Sequence, residues 1–130
     1  MAARHNLTTT TALAALYEWL RASSKTLSAC PPPDRIEFRW RHKFDMYGQC
    51  STHVKNIKRG AGKVATIAIT ALNKTPQALV ETMAHEMVHC LLRTDEVALR
   101  GRIRSAHHGR KFRAAAHRVC VELHLNETTF

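Results

Sequence analysis

Residues 85–89 read His85-Glu86-Met87-Val88-His89, an H-E-x-x-H sequence inside an apolar segment with helical periodicity. Residues four apart lie on the same face of an α-helix, so the two imidazoles can reach one metal ion. Glu86 directly follows the first histidine and is therefore in reach of a water bound to that metal. Two imidazole ligands, a carboxylate base and a water-activating metal are the parts of a zinc metallopeptidase site, which this stretch predicts.

The residues around this motif predict the helix that such a site requires. Thr75 suits the N-cap position and Pro76 the first helical position. We predict a helix over about residues 76–93, and the alternative is a helix that merely carries two histidines and a glutamate on its polar side. Apolar residues at spacings of three and four define its buried face: Leu79, Val80, Met83, Met87, Val88, Leu91 and Leu92.

A catalytic zinc ion keeps three protein ligands and leaves its fourth position for water, so a third ligand must come from elsewhere. His107 and His108 precede a second apolar stripe of helical spacing, which predicts a helix over about 109–124. His108 lies near the N-terminal end of that helix and is the predicted third ligand. His107 is the second choice, and otherwise a solvated loop histidine. Asp95 and Glu96 follow the motif closely, where the polar sequence suggests that the first helix ends.

The rest of the chain predicts a small α+β fold with one domain over residues 1–130 and a core over about 35–125. We expect an N-terminal helix, a three-stranded sheet, the motif helix and a C-terminal helix. Residues 94–108 carry many charges and little periodicity, which predicts a mobile loop. The elements before the motif are a helix over about 8–27 and strands near 35–44, 50–57 and 63–70.

Positive charge is concentrated in two parts of the chain. Twenty Lys and Arg residues against ten Asp and Glu give a net charge of +10. Residues 35–63 hold eight basic residues and two acidic ones, and residues 100–118 hold seven basic residues and no acidic one. Such patches attract phosphate backbones. We therefore predict DNA as a partner, in single-stranded form and held through its backbone. The candidate contacts are Arg39, Arg41, Lys43, Lys58, Arg59, Arg102, Arg104, Arg110 and Lys111.

Residues 36–41 alternate in the manner of a strand, with Phe38 and Trp40 on one face and Arg39 and Arg41 on the other. We expect the aromatic face in the core and the arginine face in water. The alternative is that the aromatic rings form an exposed platform on which bases stack.

Cysteine usage indicates a reducing, intracellular compartment: a bacterial or phage-infected cytoplasm, or a nucleus in a eukaryote. The four cysteines are widely spaced, with no Cys-x-x-Cys pair. Neither a signal peptide nor an apolar run long enough to span a membrane is visible. We expect a monomer with no membrane association.

Several segments together resemble the SprT-like metallopeptidases, the family that includes the Spartan DNA–protein crosslink proteases. The motif helix from Leu79 through His89 and the sequence His108-Gly109-x-x-Phe112 carry the resemblance. Upstream, residues 48–51, the apolar run 64–69 and the connector 72–73 are similar as well. The resemblance covers roughly residues 35–125.

This resemblance implies a minimal zincin-like fold with His85, His89 and His108 as zinc ligands and Glu86 as general base. It also implies cleavage of proteins held on DNA. The family often writes His-Gly-Pro-Glu-Phe around the third ligand, whereas this chain has a basic His-Gly-Arg-Lys-Phe. Two alternatives stay open: an intracellular zinc peptidase without DNA dependence, and a non-catalytic zinc-containing DNA-binding module. Tyr47 and His53 are candidates for stabilising the oxyanion.

Overall fold

The computed structural model describes residues 2–42, 45–103 and 107–130, with the side chains of the first helix described from residue 9 onward. Four helices and a three-stranded mixed sheet confirm the predicted α+β fold. No described helix combines the length and the apolar character that a membrane span needs. The elements in chain order are α1 (Ala2–Ser23), β1 (Ile36–Arg41), β2 (Gly48–Thr52), α2 (Val54–Arg59), β3 (Ala65–Thr70), α3 (Pro76–Arg100) and α4 (Arg110–Leu123).

The sheet has the order β1-β3-β2, with β3 parallel to β1 and antiparallel to β2. The central strand β3 is buried over almost its whole length, which explains its near-continuous apolar sequence. Strand β2 is therefore an edge strand. It packs against α3, so one edge of the described sheet runs beside the helix that carries the H-E-x-x-H motif.

Helix α3 begins as the sequence predicts and ends later. The Thr75 side chain accepts a hydrogen bond from the Ala78 backbone N–H at 3.1 Å, and Pro76 occupies the first turn. The helix runs on to Arg100 and stops at Gly101, whose φ of 76° is readily adopted only by glycine. The predicted end near residue 93 was wrong, and so was the first part of the loop predicted over 94–108, because buried Glu96 and Val97 continue the packed side of the helix. Residues 101–103 and 107–108 lie outside the helices, as predicted, and residues 104–106 lie outside the described part.

Helix α1 begins and ends earlier than its predicted bounds of about 8–27. The turn that follows it is fixed by the Glu122 carboxylate, which accepts hydrogen bonds from Ser24 Oγ at 2.5 Å and from Thr26 N–H at 3.0 Å. Ser24 Oγ in turn accepts the Leu27 N–H at 3.1 Å. These side-chain hydrogen bonds replace the helical pattern and redirect the chain toward the sheet.

The strand predicted near 50–57 was only half correct. Strand β2 ends at Thr52, and residues 54–59 form the short helix α2, which ends at Gly60 with a φ of 70°. Val54 and Ile57 are three apart, a spacing that fits both a helix and a frayed strand over so few residues. The strand predicted near 35–44 is described as far as residue 41, and residues 43–44 lie outside the described part.

The aromatic residues of β1 belong to the core, as the sequence favoured. The Phe38 ring packs edge-on against Tyr17 with centroids 5.3 Å apart, and Trp40 contacts the same core at its margin. Tyr17 is fully buried and donates its hydroxyl to the Pro31 carbonyl at 2.6 Å. Helix α1 is thereby held against the sheet, with α3 packed alongside.

Candidate metal centre

Three imidazoles converge where α3 meets the start of α4. One ring nitrogen from each of His85, His89 and His108 lies within 4.8 Å of the other two. Nε2 of His108 is 3.1 Å from Nε2 of His89 and 3.3 Å from Nε2 of His85. The one-turn spacing on α3 supplies two of these groups, and the residue just before the α4 N-cap supplies the third.

This donor set fits a zinc ion in kind and in spacing. Two nitrogens bound tetrahedrally at the usual zinc–imidazole distance lie about 3.3 Å apart, and the separations from His108 to His89 and to His85 match this value, within a group that spans up to 4.8 Å. Burial lowers the pKa of His85, and burial together with the charges of His85 and Arg93 lowers the pKa of His89 to about 2. Both rings are therefore neutral at physiological pH, the form that binds a metal.

The rings are oriented by contacts from two other parts of the chain. Nδ1 of His85 lies 2.6 Å from the backbone oxygen of Phe130, so it carries the proton and leaves Nε2 to face the centre. The Phe112 ring packs against all three imidazoles, with centroid distances of 5.0, 4.4 and 4.8 Å to His85, His89 and His108. The sequence singled out Phe112 through the family resemblance, without a role, and gave no signal for Phe130.

Glu86 lies on the same helix face and is 7% exposed. Burial raises its pKa to about 7, against the opposing charge of Arg93. A carboxyl group with such a pKa can accept a proton near neutral pH and release it again. Strand β2 comes close to Glu86 because residue 48 is glycine: a Cβ there would lie 2.7 Å from Thr82 Cγ2 and 3.2 Å from Glu86 Cγ.

These groups open into a cleft of about 910 Å³. Edge strand β2 and the residues before it form one wall, and Thr129 and Phe130 contribute to the lining as well. Tyr47, 60% exposed, lies at this cleft, whereas His53 does not line it and is bound to Thr66 Oγ1 at 2.8 Å. Of the two oxyanion candidates, the structure brings only Tyr47 to the cleft.

Asn73 connects the rim of the cleft to α3. Its side-chain amide donates to the Tyr47 carbonyl at 2.8 Å, and its Oδ1 accepts the Thr82 hydroxyl at 2.6 Å. The backbone of Tyr47 is thus tied to the motif helix, one turn before Glu86. The buried Asn73 is the residue of the Leu-Asn connector that the sequence singled out by resemblance alone.

The alternative ligands lie outside the three-nitrogen group. The His107 ring stacks on His89 with centroids 4.4 Å apart, and its Nδ1 is engaged by the Arg93 guanidinium. Asp95 and Glu96 belong to α3 and line a second cavity of about 560 Å³ that adjoins the cleft. The third member of the group is His108, the first choice of the sequence analysis.

The predicted DNA contacts fall into separate groups. Arg110 and Lys111 open α4, directly after His108 and Gly109, and Lys111 lines the second cavity together with Arg93 and Arg100. A second group lies near the end of α3: Lys58 is beside Gly101, and Arg102 is exposed beyond the helix. Arg59 of α2 donates to Asn56 at 3.1 Å.

Arg39 and Arg41 form a third group on β1, at the opposite edge of the sheet from β2, and Arg39 pairs with Glu37. Lys43 and Arg104 lie outside the described residues.

Two histidines of the H-E-x-x-H helix, a third histidine just before the next helix and a buried carboxyl group beside them form a candidate metal site. The family model of the SprT-like family matches residues 14–130, and the chain belongs to that family. Comparison with curated proteins and with solved structures gave no match.

Proposed function

We propose that this protein is a zinc-dependent endopeptidase that cleaves proteins bound or crosslinked to DNA. One observation carries the peptidase part: three imidazole nitrogens that converge within 4.8 Å share an open cleft with a buried carboxyl group one residue from the first ligand. Membership of the SprT-like family supports the same class of activity. The cleft is open at the surface and bordered by the edge strand β2, which suits an extended polypeptide.

His85, His89 and His108 would hold the zinc ion, which supplies Lewis acidity toward a carbonyl and lowers the pKa of a bound water. Glu86 accepts a proton from the attacking water and delivers it to the leaving amine nitrogen, so the carboxylate is regenerated after each turnover. Phe130 holds His85 in the required tautomer through its backbone oxygen. Tyr47 lies where it can approach a carbonyl in the cleft.

The DNA part of the proposal rests on the position of the basic residues. Arg110 and Lys111 follow the third ligand at the start of α4, and Arg93, Arg100 and Lys111 line the cavity that adjoins the cleft. A phosphate backbone attracted to this side would bring its bound proteins to the cleft. Arg39 and Arg41 form a second basic group at the far edge of the sheet and would contact DNA only if it wrapped around the domain.

Two other functions make different predictions. A peptidase without DNA dependence would cleave unfolded protein equally well with and without DNA. A DNA-binding module with structural zinc would need a closed site with four protein ligands, whereas the described residues bring three nitrogens together beside a buried carboxyl group. The four cysteines are buried and free, in keeping with the reducing compartment that we propose for the protein.

The deciding experiment uses the zinc-loaded full chain and a DNA-binding protein as substrate, with and without single-stranded DNA. We expect cleavage that depends on DNA and is lost in Glu86→Gln, which should keep its zinc. Cleavage indifferent to DNA would support the peptidase without DNA dependence. Binding of both zinc and DNA with no cleavage would favour the DNA-binding module with structural zinc. Cleavage by Glu86→Gln at the wild-type rate would contradict the proposed role of Glu86.

A further inference from the structure

A fourth imidazole lies against the three that face the centre. The His107 ring stacks on His89 with centroids 4.4 Å apart and meets His108 edge-on at 4.7 Å. His107 is exposed, so a rotation of its side chain would not disturb the core. Zinc held by four protein ligands is a closed, structural site, whereas a catalytic zinc keeps one position for water. If His107 became a fourth ligand, no coordination position would be left for the water that catalysis needs.

The Arg93 guanidinium lies against the ring nitrogens through which His107 would have to bind a metal. Its Nη2 atom lies 2.5 Å from Nδ1 and 3.4 Å from Nε2 of His107. A neutral imidazole has one lone-pair nitrogen, and a guanidinium can only donate hydrogen bonds. The Arg93 guanidinium therefore lies against the His107 ring nitrogens, and its permanent positive charge opposes the binding of a cation by the same ring.

The guanidinium is held in place by a backbone group. Arg93 Nη1 donates to the Cys50 carbonyl at 2.7 Å. Thr70 N–H donates to the Tyr47 carbonyl, and His53 N–H donates to the Val64 carbonyl. In this register the backbone N–H and C=O groups of the odd-numbered residues of β2 point toward β3. The Cys50 carbonyl consequently points away from the sheet, toward α3, where Arg93 lies one turn beyond His89.

We propose that Arg93 is a positioning residue that keeps His107 from becoming a fourth metal ligand and so keeps one coordination position open for water. The inference rests on the proposed function, since it presumes a zinc ion held by three histidines. In this arrangement Arg93 restrains the His107 ring, and the Cys50 carbonyl of the edge strand holds Arg93 in place.

The test compares four full-length proteins: wild type, Arg93→Met, His107→Ala and the double variant. Methionine keeps much of the length of the side chain and removes the donors. We expect Arg93→Met to bind zinc about tenfold more tightly in competition with a chelator, because a fourth ligand is gained, and to lose at least about tenfold in cleavage rate. Its cobalt(II) form should show a changed visible absorption spectrum. The double variant should return to the wild-type spectrum and to within about threefold of the wild-type zinc affinity.

Arg113→Met is the matched control, because Arg113 is an exposed arginine of α4 that lines neither cavity. It should leave the cobalt spectrum, the zinc affinity and the cleavage rate unchanged. Equal spectra and zinc affinities for wild type and Arg93→Met would overturn the inference. A double variant that keeps the spectrum and zinc affinity of Arg93→Met would do the same, since His107 would then not be the ligand gained. The cobalt comparison needs no turnover, so it decides the inference even if wild type proves inactive and the proposed function fails.

Discussion

The backbone oxygen of Phe130 lies 2.6 Å from Nδ1 of His85, so the described end of the chain orients the first histidine of the H-E-x-x-H motif. The turn that carries this oxygen is held by its own hydrogen bonds: the Asn126 carbonyl accepts the N–H groups of Thr129 and Phe130 at 3.2 Å each. Thr129 also donates to Glu81 on α3. The metal centre therefore depends on a segment far from the motif in sequence.

We expect Phe130→Ala to weaken zinc binding by about tenfold, the lower end of what the loss of an outer-shell partner costs a metal site. The substitution keeps a backbone oxygen but removes the ring that packs beside His85, with centroids 5.5 Å apart, and so loosens the turn. Competition with a chelator measures the effect. Phe130→Leu should retain most of the affinity, and equal affinities for Phe130→Ala and wild type would show that the turn does not orient His85.

The choice between the two adjacent histidines can be tested with a pair of substitutions. His108→Ala should lower zinc affinity by more than about a hundredfold, because a ligand contributes more than an outer-shell partner does. His107→Ala should leave the affinity within about threefold of wild type, since His107 lies outside the three-nitrogen group and the Arg93 guanidinium lies against its ring. Metal content after dialysis and chelator competition both report the difference. The reverse ranking would make His107 the ligand.

The motif helix and its two histidines could be predicted because a 3.6-residue period, an N-cap threonine and a first-turn proline all agree over residues 75–92. The third histidine followed from the start of the next helical stripe. Contacts between distant segments could not be predicted, since neither periodicity nor spacing encodes them. The Phe130–His85 hydrogen bond and the anchoring of Arg93 on the Cys50 carbonyl are of this kind. The late end of α3 was missed because Glu96 reads as a surface residue yet is buried.

Gly48→Ala should destabilise the fold by about 1–3 kcal/mol, the usual cost of overpacking. The new Cβ would lie 2.7 Å from Thr82 Cγ2 and 3.2 Å from the Ala68 carbonyl oxygen, so β2 must move away from α3. Adding Thr82→Ser removes the clashing methyl group and keeps the hydroxyl that donates to Asn73. The double variant should therefore recover part of the loss in urea denaturation. A Gly48→Ala variant as stable as wild type would contradict the tight approach of strand and helix.

Glu122 should contribute stability that depends on pH. Burial alone would raise the pKa of its carboxyl group, but hydrogen bonds from Ser24 and Thr26 outweigh burial and hold the pKa below its ordinary value. The ionised form is thus favoured by folding, so its contribution is full above the ordinary pKa of a glutamate and is lost as the pH falls through the lowered pKa.

Glu122→Gln should consequently lower the free energy of unfolding by about 1 kcal/mol at pH 7, and the difference from wild type should shrink toward zero in acid. Urea denaturation at several pH values measures it. Glu18→Gln is the control, because Glu18 makes an exposed ion pair with Arg21 and should have a much smaller effect. A Glu122→Gln deficit that persists undiminished in acid would show that the carboxylate charge is not its source.

The position of the basic residues predicts which of them bind DNA. Replacing both Arg110 and Lys111 by glutamine should reduce affinity for single-stranded DNA and lower the slope of log affinity against log salt by up to about 1.4, since each phosphate contact contributes about 0.7. Replacing Arg39 and Arg41 in the same way should change the slope less, because β1 lies at the opposite edge of the sheet from the metal cleft. Both double variants lose two positive charges, so a simple dependence on net charge would affect them equally. Titrations at several salt concentrations separate the two cases. Equal slopes for the two double variants would show that DNA binding depends on the net charge of the domain and not on the position of the basic residues.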